Sequence, residues 1–220
     1  MKNKVVTLGE AVNKIKDGAT IMVGGFLSVG APISIINGIL KKGIKDLTLI
    51  ANDTSVPGVG ISKLIAEKRV KKVVVSHIGT NPETGKQMME GTLDVQLVPQ
   101  GTLAEKIRAG GAGLGGVLTP TGVGTEAAEG KQTIEIDKRT YLIELPIKAD
   151  FAILGGTVAD TFGNTFFNET TRNFNPLMAT AADTVIVEAG KIVERGELEA
   201  NQVMTPGIFV DYIVRSSLNE

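Results

Sequence analysis

The 220-residue sequence contains no cysteine, and its only histidine is His77. Without cysteine the chain forms no disulfide, builds no thiolate metal site and offers no cysteine nucleophile. A single histidine excludes a metal centre built on several imidazoles and leaves one candidate at most for a histidine-dependent hydrolase. We therefore expect no metal site, and the chemistry has to come from other side chains and the backbone.

An excess of charge of either sign is also lacking. The 23 Lys and Arg residues are balanced by 24 Asp and Glu residues, which gives a net charge of -1. Such a balance predicts no nucleic acid partner and no anionic membrane surface, although a single phosphate-bearing ligand stays possible.

Long apolar segments are scarce as well. The amino-terminal residues lack the apolar stretch of a signal peptide, which predicts a cytoplasmic protein. Residues 19–40 carry no charge and are nominally long enough to span a bilayer, which takes about 20 residues. We reject a membrane span because this segment is interrupted by Gly24, Gly25, Ser28, Gly30, Pro32 and Asn37.

The apolar segments that are present alternate between strand and helix patterns. Strands are predicted at residues 20–23, 46–51, 70–76, 93–98, 151–154 and 184–187, with a last apolar segment at 208–214. A hairpin is predicted at residues 132–144, and a second hairpin turn is predicted at residues 160–164. Capping boxes are predicted at Thr7 with Glu10 and at Thr102 with Glu105. The pattern predicts one α/β domain, residues 1–220, with an open, mostly parallel doubly wound sheet and small hairpin additions.

Residues 17–32 contain the most informative stretch, a short buried strand followed by a glycine-rich turn and a helix started by Pro32. We call residues 24–30 the GGF turn. Its glycines do not have the GxGxxG spacing of a dinucleotide site, and the chain has no GxxxxGK[ST] phosphate loop. The turn therefore indicates a ligand site of another kind, in which glycine lets the backbone approach closely.

When the whole motif around the GGF turn is considered, the chain resembles the alpha subunits of the family I coenzyme A transferases. Their signature has a [DN]-G opening, three apolar residues, then GGF, xxx, G, x and P, and it is filled here by Asp17-Gly18, Ile21-Met22-Val23, Gly24-Gly25-Phe26, Gly30 and Pro32. The likeness continues through residues 47–54, 76–85, 98–113 and 172–176. It is strongest to the A subunits of bacterial acetate/butyrate:acetoacetate CoA-transferases, and it implies their open α/β fold.

The resemblance also implies a mechanism shared between two chains. In this family a glutamate of the beta subunit attacks the acyl-CoA thioester, and a glutamyl-CoA thioester forms in a ping-pong reaction. Its Ser-Glu-Asn-Gly motif is absent here, and Glu90 and Glu129 look like charged ends of surface helices. We therefore expect a beta subunit partner, acyl-CoA and short-chain carboxylic acids as substrates, and no tightly bound cofactor.

The resemblance carries over three functional elements. Asn52 matches an oxyanion-hole asparagine, and Gln100 matches a glutamine near the thioester and carboxylate. Contacts to coenzyme A are implied for Gly24, Gly25, Phe26, Leu27, Ser28, Val29 and Gly30, aided by the positive end of the following helix. A purely structural interpretation also stays open for each of them. Asn52 could be only a turn residue, Gln100 a helix cap, and the glycines could serve tight packing of helix and strand.

Three further side chains have no firm role. His77 is interpreted as a hydrogen-bonded structural residue, Arg172 as part of an interface or a loop-ordering salt bridge, and Asp53 as an acceptor of backbone hydrogen bonds. Two other functions also stay open: a sugar-phosphate isomerase on a related sheet, and a non-catalytic acyl-CoA-binding module.

Overall fold

Seven parallel strands form the centre of the structure, a computed structural model in which residues 3–217 are described. Their order is β11-β10-β8-β1-β2-β3-β4, and β9 pairs antiparallel with β8 as an eighth strand. A second, antiparallel sheet has the order β5-β7-β6. The strands are β1 (Thr20–Val23), β2 (Leu47–Ile50), β3 (Val70–Val75), β4 (Asp94–Leu97), β5 (Val117–Thr119), β6 (Thr133–Ile136), β7 (Arg139–Glu144), β8 (Ala149–Asp160), β9 (Thr165–Phe166), β10 (Ala182–Val193) and β11 (Tyr212–Arg215).

Helices connect the parallel strands, as the sequence predicts. They are α1 (Leu8–Lys14), α2 (Ile33–Lys42), α3 (Ser62–Ala66), α4 (Pro82–Met89), α5 (Gln100–Ala112) and α6 (Asn175–Met178), with 3₁₀ turns at Glu126–Ala128, Glu169–Arg172, Ala200–Gln202 and Gly207–Phe209. Within residues 3–217 none of the helices combines the length and the apolar character needed to cross a lipid bilayer.

The order of the strands reverses next to β1. The chain builds outward from β1 through β2 and β3 to β4, and it then returns to place β8 on the other side of β1. In open α/β sheets, ligands bind outside the carboxyl ends of the strands near such a reversal. Ligand-binding residues are therefore expected in the segments that follow β1, β2, β3 and β4.

Apolar side chains cover both faces of the sheet, which explains why its strands are uniformly apolar. Ile21 points to a cluster with α1, α2 and α3, whereas Met22 points to a cluster with α5 and α6. Both side chains are fully buried. Burial of one such side chain stabilises the fold by about 1.5–3 kcal/mol relative to exposure.

Two strand predictions are too short. The predicted strand 151–154 continues through Gly155 and Gly156, and the predicted strand 184–187 extends to the twelve residues of β10. The two strands pair in parallel from Ala149 with Ala182 to Asp160 with Val193, so the neighbouring strand supplies backbone partners beyond the glycines.

The helix and hairpin predictions have mixed outcomes. The capping box of Thr7 with Glu10 is confirmed. The box of Thr102 with Glu105 is wrong, because α5 begins at Gln100 and Glu105 instead pairs with Arg108. The hairpin of β6 and β7 is confirmed.

The glycine-rich residues 109–125 are partly regular structure. Its first residues complete α5, and residues 117–119 form β5 at the edge of the small sheet. The remaining residues lead to the 3₁₀ turn Glu126–Ala128.

Candidate active site

Asn52 lies just beyond β2 and is almost fully buried. Ser76, just beyond β3, holds it in two ways. The Ser76 N–H donates to the Asn52 backbone oxygen at 2.9 Å, and the Ser76 hydroxyl, with one hydrogen to donate, lies 2.6 Å from that oxygen and 2.8 Å from Asn52 Oδ1. The side-chain oxygen of Asn52 thus faces Ser76, which leaves the NH₂ group turned elsewhere.

The NH₂ group of Asn52 has one weak protein contact. Its Nδ2 lies 3.5 Å from Oδ1 of Asn173, a residue at the end of the 3₁₀ turn Glu169–Arg172. An amide NH₂ has two hydrogens, so this contact engages one of them. The arrangement suits a neutral donor near the carboxyl end of β2.

A cleft of about 550 Å³ opens at the carboxyl ends of β3 and β4. It is lined by Ser76, Leu97, Val98, Pro99, Thr125, Glu126 and Ala127. Asn52 is not among these lining residues, but its hydrogen-bond partner Ser76 is. Glu126 is the functional candidate that sequence reasoning missed, since the glutamates singled out there were those preceding glycine.

Gln100 follows the cleft residue Pro99 as the first residue of α5. Its side chain is exposed and makes no hydrogen bond to any residue from 3 to 217, so the helix-cap interpretation has no support in the structure. The free amide is accessible to a ligand.

The GGF turn has a tightly constrained tip. Phe26 and Val29 exchange backbone hydrogen bonds of 3.0 and 2.9 Å, and the two residues between them, Leu27 and Ser28, have φ of 46° and 69°. This is the geometry of a two-residue hairpin turn that glycine and asparagine usually form. Positive φ at other residues persists only where the surrounding structure enforces it.

Asp53 helps to hold Leu27 in this backbone conformation. The Leu27 N–H donates to Asp53 Oδ2 at 2.9 Å, and the Ser55 N–H donates to Oδ1. The prediction that Asp53 accepts backbone hydrogen bonds is confirmed. Its carboxylate joins the GGF turn to the segment that carries Asn52.

Only some of the predicted backbone donors of the GGF turn remain available. The N–H groups of Gly24, Phe26, Leu27 and Val29 donate within the protein. Those of Gly25, Ser28 and Gly30 have no partner among residues 3–217. A coenzyme contact through this turn therefore depends on those three groups and on the exposed side chains of Phe26 and Val29.

The positive end of α2 already holds a carboxylate of the chain itself. Glu188, on β10, is 4% exposed and accepts from the Ile35 N–H at 3.0 Å and from the hydroxyls of Ser34 and Ser216 at 2.7 and 2.8 Å. A carboxylate at this helix end agrees with the positive partial charge of a helix N-terminus. The anion that the structure places there is Glu188 rather than a ligand.

The glycines of the turn are also required for packing. A Cβ on Gly24 would overlap the amide oxygen of Asn175, and one on Gly30 would overlap the backbone of Thr171. Asn175 is fully buried, and its Nδ2 donates to the backbone oxygens of Thr171 and Gly30 at 2.8 and 3.1 Å. The packing interpretation thus holds, and it does not exclude ligand contacts at the tip.

The other candidates lie at the surface. His77 is exposed, its ring packs on Gly79, and no residue from 3 to 217 hydrogen-bonds to the imidazole, so its structural interpretation lacks support. Arg172 is exposed and has no ion pair within the described chain. Glu90 and Glu129 are exposed ends of short helical segments, as expected.

A buried ion cluster joins α5 to the small sheet. Glu144 on β7 is 2% exposed and pairs with Lys106 of α5 at 2.8 Å and with Lys131. Burial raises the pKa of the Glu144 carboxyl, but hydrogen bonds from Lys106 and Lys131 outweigh burial and hold the pKa below its ordinary value. Sequence reasoning missed this cluster, because nothing local relates residues 106, 131 and 144.

Comparison with known proteins gives a consistent result. A family model described as Coenzyme A transferase matches residues 5–216. The chain is 53% identical over 216 residues to the acetate CoA-transferase subunit alpha of Escherichia coli K12, covering 98% of both chains. It is 51% identical over 215 residues to the acetoacetyl-CoA:acetate/butyrate CoA transferase alpha subunit of Clostridium acetobutylicum, covering 98% of this chain and 99% of that one.

A solved structure supports the fold. An acyl-CoA transferase of Escherichia coli O157:H7, determined as a thioester complex with CoA, superposes with a TM-score of 0.86 at 24% identity. The match covers 98% of this chain and 47% of that one. The open parallel sheet predicted from the sequence is therefore confirmed.

Proposed function

The chain belongs to the coenzyme A transferase family, and from this premise we propose that it is the alpha subunit of an enzyme that moves coenzyme A between acetoacetate and a short-chain acid such as acetate or butyrate. The names of two relatives with more than 50% identity over nearly their full length support this choice. Those relatives do not favour a sugar-phosphate isomerase or a non-catalytic binding module.

The proposed reaction begins with a glutamate of the beta subunit. Its carboxylate oxygen attacks the thioester carbonyl, the C–S bond breaks, and an acyl-glutamyl anhydride and the CoA thiolate result. The thiolate then attacks the glutamyl carbonyl, which releases the first carboxylate and leaves a glutamyl-CoA thioester. The second acid repeats these steps in reverse order and regenerates the glutamate, without net gain or loss of a proton.

This chain contributes donors to that reaction. Each attack creates a tetrahedral oxyanion, which a neutral N–H donor stabilises without introducing a counter-charge. The structural observation that carries the proposal is the Asn52 amide. Its oxygen is engaged by Ser76, a residue of the cleft lining, and its NH₂ is directed away from Ser76 toward Asn173. Gln100, free at the start of α5, is assigned to the thioester or carboxylate.

The coenzyme is assigned to the GGF turn. The unpaired N–H groups of Gly25, Ser28 and Gly30 suit polar atoms of the ligand, and the exposed Phe26 and Val29 suit its aliphatic part. The reacting carboxylate then arrives from the partner at the same edge of the sheet. Coenzyme A acts here as a substrate, and a cytoplasmic location stays a prediction from the sequence.

The division of labour is tested with three samples: this chain, its partner, and the coexpressed pair. Each is mixed with acetoacetyl-CoA and acetate, and loss of acetoacetyl-CoA is followed. We expect turnover from the pair only. Intact-mass measurement after acetoacetyl-CoA alone should show a CoA adduct on the partner, whereas an adduct on this chain would overturn the proposal.

Glu126 provides the matched control because it is the carboxylate in the cleft lining. The pair carrying Glu126→Gln should still form the CoA adduct on the partner. If this variant abolishes adduct formation everywhere, the nucleophile belongs to this chain and the assignment to the partner is wrong.

A further inference from the structure

An asparagine in an oxyanion hole must present its nitrogen rather than its oxygen. The two ends of the amide have nearly the same size, so a rotation of the amide group exchanges donor and acceptor with little steric cost. Only the orientation with NH₂ toward the reacting group stabilises the oxyanion, and the other orientation repels it. The protein must therefore select one orientation of Asn52.

Ser76 restrains the amide without selecting its orientation. Its hydroxyl lies 2.6 Å from the Asn52 backbone oxygen and 2.8 Å from Oδ1, and it has one hydrogen to donate. If the amide were rotated, the hydroxyl would donate to the backbone oxygen and accept from Nδ2. Ser76 thus holds the side chain in place in either orientation.

Asn173 breaks this symmetry. The Phe174 N–H donates to Asn173 Oδ1 at 2.8 Å, which identifies the atom facing Asn52 as an acceptor. The same oxygen lies 3.5 Å from Asn52 Nδ2. Rotation of the Asn52 amide would bring two oxygens together and is therefore disfavoured.

The backbone of Asn173 supports a specific positioning role. Its φ is 34° and its ψ is -130°, a conformation that residues other than glycine rarely adopt. The surrounding structure holds Asn173 there, since the next two residues are buried and Asn175 ties the segment to Gly30. The acceptor is consequently fixed before any ligand arrives.

We propose that Asn173 selects, and Ser76 restrains, the orientation of Asn52 in which its NH₂ is available to the oxyanion. Both are positioning residues, and this inference rests on the proposed function of Asn52. The inference gives the segment around residue 173 a role in the reaction.

The test uses the coexpressed pair with Asn173→Gly, Ser76→Ala and Asn52→Ala, singly and in combination. Glycine suits the backbone of residue 173. The substitution removes the Oδ1 acceptor that faces Asn52, and the Phe174 N–H loses the same acceptor. We expect Asn173→Gly to lower kcat with little change in KM, by about 2-fold if both amide orientations become equally populated. The combined Asn173→Gly and Ser76→Ala change should approach the about 10²-fold loss expected for Asn52→Ala.

Coupling to Asn52 separates this role from a general structural one. In the Asn52→Ala background, neither Asn173→Gly nor Ser76→Ala should lower kcat further. Ser76→Thr, which keeps the hydroxyl, should restore most of the activity lost in Ser76→Ala. Asn168→Gly serves as the matched control and should leave kcat unchanged. Asn168 is in the same segment, and its side chain makes no hydrogen bond to any residue from 3 to 217.

The outcomes distinguish the two proposals. If Asn52→Ala leaves kcat unchanged, the oxyanion role of Asn52 is wrong. If Asn52→Ala lowers kcat but the double variant of residues 76 and 173 does not, only the positioning inference fails. The positioning inference also fails if Asn173→Gly or Ser76→Ala lowers kcat in the Asn52→Ala background as much as it does in the wild-type background.

Discussion

The backbone N–H of Leu27 donates a hydrogen bond of 2.9 Å to the carboxylate of Asp53. These residues belong to different parts of the sheet edge: Leu27 lies at the tip of the GGF turn, and Asp53 follows the proposed catalytic Asn52. One carboxylate therefore fixes the distance between the proposed coenzyme contact and the proposed oxyanion donor. The two functional elements thus form one hydrogen-bonded unit.

Asp53→Asn should loosen this unit. The substitution leaves one acceptor oxygen for two N–H donors, so an NH₂ group must face either Leu27 or Ser55. We expect a loss of stability of about 1–3 kcal/mol and a higher KM for acyl-CoA in the coexpressed pair. Asp183→Asn is the control, because Asp183 is exposed and its side chain makes no hydrogen bond within the described part of the chain. Equal effects of both variants would contradict the prediction.

Gln100→Ala should affect activity without affecting stability. The side chain is exposed and makes no hydrogen bond within the described chain, so we expect the free energy of unfolding to change by less than about 0.5 kcal/mol. Loss of one transition-state hydrogen bond should lower kcat/KM about tenfold. Gln202→Ala, on an exposed 3₁₀ turn outside the cleft lining, should leave both quantities unchanged. Normal kinetics of Gln100→Ala would remove this residue from the site.

Gly24→Ala should disrupt packing behind the GGF turn. The added methyl group would overlap Asn175, which must then release its hydrogen bonds to Gly30 and Thr171. We expect a destabilisation of about 1–3 kcal/mol in chemical unfolding. At Gly9, in α1, an added methyl group meets no atom, so Gly9→Ala should stabilise the chain by roughly 0.5–1 kcal/mol. A stable Gly24→Ala protein would show that the Asn175 contact is dispensable.

Glu144→Gln should destabilise the junction between α5 and the small sheet. It leaves Lys106 buried without a counter-charge, which costs about 3–5 kcal/mol. Glu105→Gln, which removes an exposed pair with Arg108, should cost less than about 1 kcal/mol. Unfolding by urea at neutral pH measures both changes.

The cost of Glu144→Gln should also depend on pH in a defined direction. Because the pKa of Glu144 is lowered in the folded protein, its stabilising contribution is complete above the unfolded-state pKa of about 4.3. That contribution is lost as the pH falls through the lowered folded-state pKa. The stability difference between wild type and Glu144→Gln should therefore be constant near neutrality and shrink below about pH 4.3; a difference that grows on acidification would have the wrong sign.

The cluster at Glu144 shows why part of the site escaped sequence reasoning. Each of its three residues is an ordinary surface type when considered alone, and the residues are separated by 13 and 38 positions. Likewise, Asn173 lies 121 positions from Asn52. Local periodicity carries no information about such distances, because these contacts form only when β7 and the segment after β9 fold back onto the sheet.

The sequence alone determined the elements and the residue types available for chemistry. Apolar runs and glycine-rich ends predicted β1, the GGF turn and α2, and the pattern predicted that Asn52 follows a strand, because short-range propensities decide such features. Tertiary structure alone decided what each group faces. Return of the chain to β8 and β10 brought Glu188 to the end of α2 and Asn175 against Gly24, since packing and hydrogen-bond satisfaction between distant segments fix those contacts.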